Sequence, residues 1–231
     1  CHNWLGETLR LWLASDKKPE KFTADDARSE YAAAIKLQEE LHQHAPANRI
    51  YQQDLARTYY NRGILLYQGH ADPAEADAAR DDFVRAAELL QPLATGPQSP
   101  ATSPAAASNG PDPSQDLARA YNNLGRIYLD RQSFEEAGQL YEQAILSLNI
   151  LRQKDPDNRE YKTEAAHYYN NLALALASEH QFALATKPSD DARILTEELA
   201  APSPSVDDLH TRILKLRAWI DSHASASPAK P

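Results

Sequence analysis

The sequence holds no Met and only one Cys, at its first residue, so a disulfide framework is excluded. Seven Gly in 231 residues leave little flexible backbone. Ala, Leu, Glu, Gln and Arg fill most segments, which points to helix throughout. Fifteen Pro seem to oppose that, but many fall between about 92 and 113, near 188, 202 and 204, and at the end, where they punctuate helices. No apolar run approaches the roughly 18 to 20 residues of a membrane span; Trp4 to Ala14 is short and carries Glu7 and Arg10. No Lys/Arg block is present either. With 24 basic against 33 acidic residues and a formal charge of -9, the chain repels nucleic-acid phosphate, so nucleic acid is not an expected partner.

Cys1 has two readings. One is a fragment whose first residue happens to be Cys. The other is a mature N-terminus, which resembles a bacterial lipoprotein: Cys1 would carry the lipid after removal of a signal peptide. His2 rather than Asp next to it then resembles the pattern of outer-membrane retention, which places the chain on the periplasmic side of the envelope. Membrane contact is expected only through that anchor. The alternative location is cytoplasmic.

What is present is a repeat. From Leu117 to about Lys154 the chain reads Tyr121, Leu124, Gly125, Tyr128, then Ala137, Tyr141 and Ala144, a Y-x2-L-G-x2-Y-x8-A-x3-Y-x2-A pattern. Gly125 and Ala137 are where two antiparallel helices come closest, and the aromatic and Leu positions fill the space beside them. Ser133 followed by Glu136 predicts a capping box opening the second helix. Leu55-Ala56-Arg57-Thr58-Tyr59-Tyr60-Asn61-Arg62-Gly63 matches Leu117 to Gly125 position for position, followed by Ala79, Phe83 and Ala86. Tyr169-Asn170-Asn171-Leu172-Ala173 repeats the motif again with Ala for Gly. The phrases Pro46-Ala47-Asn48-Arg49-Ile50-Tyr51 and Pro156-Asp157-Asn158-Arg159-Glu160-Tyr161 each lead into a first helix. Ala27, Tyr31 and Ala34 extend the second-helix spacing to the N-terminus, with Leu5-Gly6 offering the close contact. Leu209, Ile213, Leu216 and Ile220 form one stripe of a terminal helix.

The expected organisation is a degenerate repeat over 1–46, a repeat over 47–94, a solvated Pro/Ala/Ser loop over 95–114, repeats over 115–156 and 157–201, a capping helix over 205–223 and a tail over 224–231. Pro188 is expected to interrupt the second helix of the last repeat.

The pattern resembles the tetratricopeptide repeat family, in a long-helix form: Gly125 and Ala173 are 48 residues apart. Arrays reading YNNLG occur in bacterial multidomain proteins, including extensions of serine/threonine kinases. The resemblance covers roughly residues 24 to 200. It implies an all-α, right-handed α-solenoid of stacked antiparallel hairpins with a C-terminal capping helix, acting as a non-enzymatic scaffold that binds a protein or peptide in a concave groove. The alternative is a regulatory or sensory region of a larger protein such as a membrane kinase.

In that family the first helix of each unit lines the groove. Carried onto this chain, the peptide-binding positions are Arg57, Tyr60 and Asn61, then Arg119, Asn122, Asn123 and Arg126, then His167, Asn170 and Asn171. Asn amides suit a peptide backbone, and Arg57 and Arg119 suit a carboxylate. The Lys residues of the family's carboxylate clamp are missing beside them. No phosphate loop, zinc spacing or nucleophile elbow is present, so neither catalytic residues, a cofactor nor a metal is expected. His42 and His44 point apart on a helix and suit its C-terminus better than a metal. The paired acids, Asp81-Asp82 and Asp190-Asp191 among them, are read as mostly first-turn residues complementing helix dipoles.

Overall fold

The computed structural model describes residues 6–8, 10–11, 23–67, 72–96, 112–199 and 203–224. Cys1, the core of the Pro/Ala/Ser loop and the tail lie outside them, as do Trp4, Leu5 and the connection after Trp12. Residues 6–8 and 10–11 are helical. Eight helices follow among the described residues: α1 (Ala24–His44), α2 (Arg49–Leu66), α3 (Pro73–Thr95), α4 (Pro113–Asp130), α5 (Phe134–Lys154), α6 (Arg159–Ser178), α7 (Phe182–Glu198) and α8 (Pro204–Ala224). No strand occurs among those residues. The chain divides into two compact units, Cys1–Ala120 and Tyr121–Pro231, with the division inside α4.

In the first unit α1 packs on α2 and α2 on α3. In the second, α5 packs on α6, α6 on α7, and α8 on both α6 and α7. Helices thus pack on their sequence neighbours, the arrangement of a helical repeat. One close contact recurs. A Cβ added at Gly63 would lie 2.8 Å from the Phe83 ring, one at Gly125 2.7 Å from the Tyr141 ring, and one at Gly6 3.0 Å from the Tyr31 ring. All three rings are 0% exposed. The Gly of each first helix is therefore the seat of the aromatic ring of the second, and small size there sets the helix separation. In the last hairpin the corresponding residues are Ala173 and Ser189. The ring is gone, and the apolar space is closed by Ile220 of α8 against Ala173, Ala177 and Ala185, with Leu176, Phe182 and Leu216 beside it.

The joints also repeat. Asn48 and Asn158 cap α2 and α6 identically, each Oδ1 accepting from the backbone N–H two and three residues on. Between α4 and α5, Gln132 takes φ 62°, its N–H donates to Leu129 O, and Ser133 N–H donates to Tyr128 O at 2.9 Å. His180 at φ 63° and Gln181 repeat this between α6 and α7, the latter donating to Leu176 O at 2.9 Å. These bonds close the end of the first helix in the pattern of a Schellman motif.

Three expectations need correction. Ser133 makes no side-chain cap bond. Its N–H, which Glu136 would have to reach in a capping box, already serves the end of α4. The box that forms is at Thr23 and Asp26, where each side chain bonds the other's backbone N–H. Pro188 does not interrupt α7, which runs unbroken from Phe182 to Glu198 with Pro188 buried. As the seventh residue it lies beyond the four N–H groups that have no helical partner, so the helix gives up the bond to Leu184 O and continues past it. Asp82 is not a first-turn residue: it is buried in mid-α3 and takes two hydrogen bonds from Arg62, at 2.6 and 2.7 Å. Asp190 and Asp191 likewise lie mid-helix in α7.

Candidate functional site on the first helices

The ten groove positions fall on α2, α4 and α6 and divide between the two units. In the first unit, Arg57 does not point an open fork outward. Its Nε donates to Asp116 Oδ2 at 2.7 Å, and Gln53 Nε2 reaches the same oxygen at 3.2 Å. Arg119 stands 4.0 Å from the other oxygen of Asp116. The two arginines that the sequence offers to a partner's carboxylate are closed on a carboxylate of this chain. Burial pushes the Asp116 carboxyl above the ordinary aspartate range, while Arg57, Gln53 and Arg119 pull it back. Tyr60 is half-buried, its ring tilted against Phe83 at 5.7 Å between centroids. Asn61 is half-buried beside it in sequence.

In the second unit, Asn171 Nδ2 on α6 donates to Asn122 Oδ1 on α4 at 2.9 Å. The bond joins two first helices through half-buried amides. It uses one end of each, so the Asn122 NH₂ and the Asn171 carbonyl oxygen are not engaged by it. Asn123 is half-buried and Arg126 exposed on the same helix. Asn170 is 9% exposed, and its Oδ1 is buried with no hydrogen-bond partner among the described residues. Burial and the cation of Arg212 lower the pKa of His167, and Asp208 acts against them.

Arg57 of one first helix thus meets Asp116 of the next. Sequence reading missed the acidic half of this scheme. The signal was available, since Asp54 and Asp116 stand three residues before Arg57 and Arg119.

A second feature has no sequence signature, because three helices build it. A cleft of about 260 Å³ in the second unit is lined by Arg152 of α5, Tyr169 of α6, and Lys187, Asp191, Ile194 and Glu198 of α7. Three of its charged groups, Lys187, Asp191 and Glu198, are paired locally. Lys187 Nζ is 2.7 Å from Asp191, and Glu198 is 3.1 Å from Lys162. Among the described residues no group of three or more His, Cys, Asp or Glu could hold a metal, and no helix is long and apolar enough to cross a membrane.

No family model and no curated protein matches the chain. Among solved structures it is similar to a de novo designed helical repeat protein, with 16% identity and a TM-score of 0.39 over 88% of this chain and 100% of that one. The functional reading therefore rests on the chain's own residues.

Proposed function

We propose that this chain is a non-enzymatic scaffold of the tetratricopeptide type that binds a protein or peptide through the polar face of its first helices. The observation that carries the reading is the Asn122–Asn171 bond. Two amides tied to each other at one end present a donor and an acceptor at the other, which is the pairing that an extended peptide backbone requires. Their geometry is held by the scaffold before a partner arrives, so less ordering is needed on binding. Asn123 and Arg126, one and four residues on from Asn122, add a further amide and an exposed cation. Arg57 takes a supporting part in this reading, as the residue that ties α2 to α4 through Asp116, with Arg119 beside the same carboxylate.

The test is selection from an immobilised library of extended peptides, comparing the native chain with Asn123→Ala/Arg126→Ala. Helix content by circular dichroism establishes that the variant is folded. The native chain is expected to enrich a defined peptide set, and the variant to bind it at least about tenfold more weakly, about 1.4 kcal/mol. Absence of enrichment by the native chain, or equal binding by the folded variant, would sink the reading.

A further inference from the structure

Arg152 lies near the end of α5, half-buried, in a chain that carries 33 acidic residues against 24 basic ones. It nonetheless pairs with no carboxylate among the described residues. Its Nη1 donates to Asn149 Oδ1 at 3.0 Å, a neutral acceptor, and the other N–H groups of the guanidinium meet no described acceptor. A cation withdrawn from water without a counter-ion is costly, and an anion that docks on it removes that cost.

Arg152 borders the cleft of the second unit, and the rest of the lining suits an amphipathic guest. Tyr169 of α6 is half-buried, and its hydroxyl has no hydrogen-bond partner among the described residues. Leu195 and Ile194 of α7 form an apolar wall, the first buried and the second 44% exposed. Asp191 and Glu198 also line the cleft, already held by Lys187 at 2.7 Å and by Lys162 at 3.1 Å. The Lys187 ammonium has three protons, so its pair with Asp191 leaves further donors at the rim. An apolar cavity of about 150 Å³ holds a benzene ring. The cleft, at about 260 Å³, has room for one ring with a short acidic stem. It falls short of the roughly 300–1,000 Å³ of pockets for larger ligands.

We propose that this cleft is a binding site for a small monocarboxylate that carries one ring or a branched alkyl body. The carboxylate sits on the Arg152 fork and accepts from the Tyr169 hydroxyl, while the apolar body covers Ile194 and Leu195. Asp191 and Glu198 set the charge that is accepted, because they repel a dianion and their own cations are already engaged. A neutral guest is disfavoured from the other side, since it leaves Arg152 without a counter-ion. The site uses none of the residues on which the scaffold reading rests, and it lies wholly within the second unit.

The probe is phenylacetate, titrated near neutral pH into the isotope-labelled full chain and followed by backbone amide shifts in NMR. Saturable shifts are expected at Arg152, Tyr169 and residues 187–198. Phenylacetamide, which lacks the charge, and butyrate, which carries its carboxylate on the short stem of a Glu side chain, should each bind at least about fivefold more weakly. Arg152→Gln should weaken phenylacetate binding at least about fivefold. Ile194→Glu should do the same by placing a second charge against the guest, and the exposure of Ile194 lets that chain keep its fold. Asn123→Ala/Arg126→Ala should bind phenylacetate as the native chain does, so failure here is distinct from failure of the scaffold reading. No saturable shifts, shifts centred outside the cleft, equal binding of the amide or of butyrate, or unchanged binding in either folded cleft variant would overturn the proposal.

Discussion

Gly125 and Ala173 occupy one motif position, and the residues opposite them explain why they differ. At Gly125 the added Cβ would meet the Tyr141 ring at 2.7 Å, and that ring is 0% exposed and cannot swing aside. At Ala173 the opposing position holds Ser189, so a methyl group fits. Replacing a helical Gly by Ala ordinarily stabilises by about 1 kcal/mol. Overpacking against a fixed ring costs about 1–3 kcal/mol, which outweighs it. Gly125→Ala should therefore lower stability in denaturant titration. In the Tyr141→Ser background, which copies the Ala173/Ser189 pair, that penalty should disappear, leaving a coupling of about 1–3 kcal/mol in the double-mutant cycle. A Gly125→Ala chain more stable than the native one would show that the ring can move and that helix propensity decides the position.

At the scale of the element, the joints set the limits of each helix. Gln132 and His180 both have left-handed backbone, which costs a non-Gly residue about 1–2 kcal/mol. Gln132→Gly and His180→Gly should each stabilise by roughly 1 kcal/mol, less whatever those side chains contribute. Caps separate in the same way. Asn158→Ala should cost about 1 kcal/mol, because Asn158 Oδ1 serves two N–H groups. Ser133→Ala should cost well under that, because Ser133 has no cap bond to lose. Thermal melts of the four variants check the order. The same joints show what the sequence made legible. Gly63, Gly125 and the aromatic four residues after Ala27, Ala79 and Ala137 were readable, because helix packing at close range tolerates few alternatives. The capping box at Ser133 was misread, because S-x-x-E specifies a box only when the Ser N–H is unclaimed, and Tyr128 O claims it from the preceding helix. The break expected at Pro188 failed because one missing i→i−4 bond does not end a helix whose other residues, Ala185, Pro188, Ser189 and Ala192 among them, are buried by packing. For the candidate site, polarity and register were visible, but engagement was not. Nothing in Arg57 alone says that its fork is closed on Asp116, since that depends on which faces two helices 59 residues apart turn to each other.

Across the whole molecule, neighbour-to-neighbour packing makes stability approach a sum of local hairpin and interface contributions. Damage should then stay near its source, and the Arg62–Asp82 pair of the first unit offers a sharp test. Asp82 is 3% exposed, and burial raises its carboxyl above the ordinary 3.8 despite the two bonds from Arg62. Arg62→Met leaves that carboxylate buried without its cation, which costs about 3–5 kcal/mol. Hydrogen exchange should rise across α2 and α3, whose contact the pair spans, while α6 and α7 keep their protection. Acid modulates the loss in a fixed direction. With the cation gone, the folded-state value of Asp82 rises further above 3.8, so the folded variant holds a proton that the unfolded chain has released. Its stability relative to the native chain is poorest above that raised value and recovers as pH falls toward 3.8. Denaturant titrations of both chains at falling pH should show the gap closing. Equal loss of protection in both units, or a gap that widens in acid, would mean that the chain unfolds as one block or that Asp82 finds another partner.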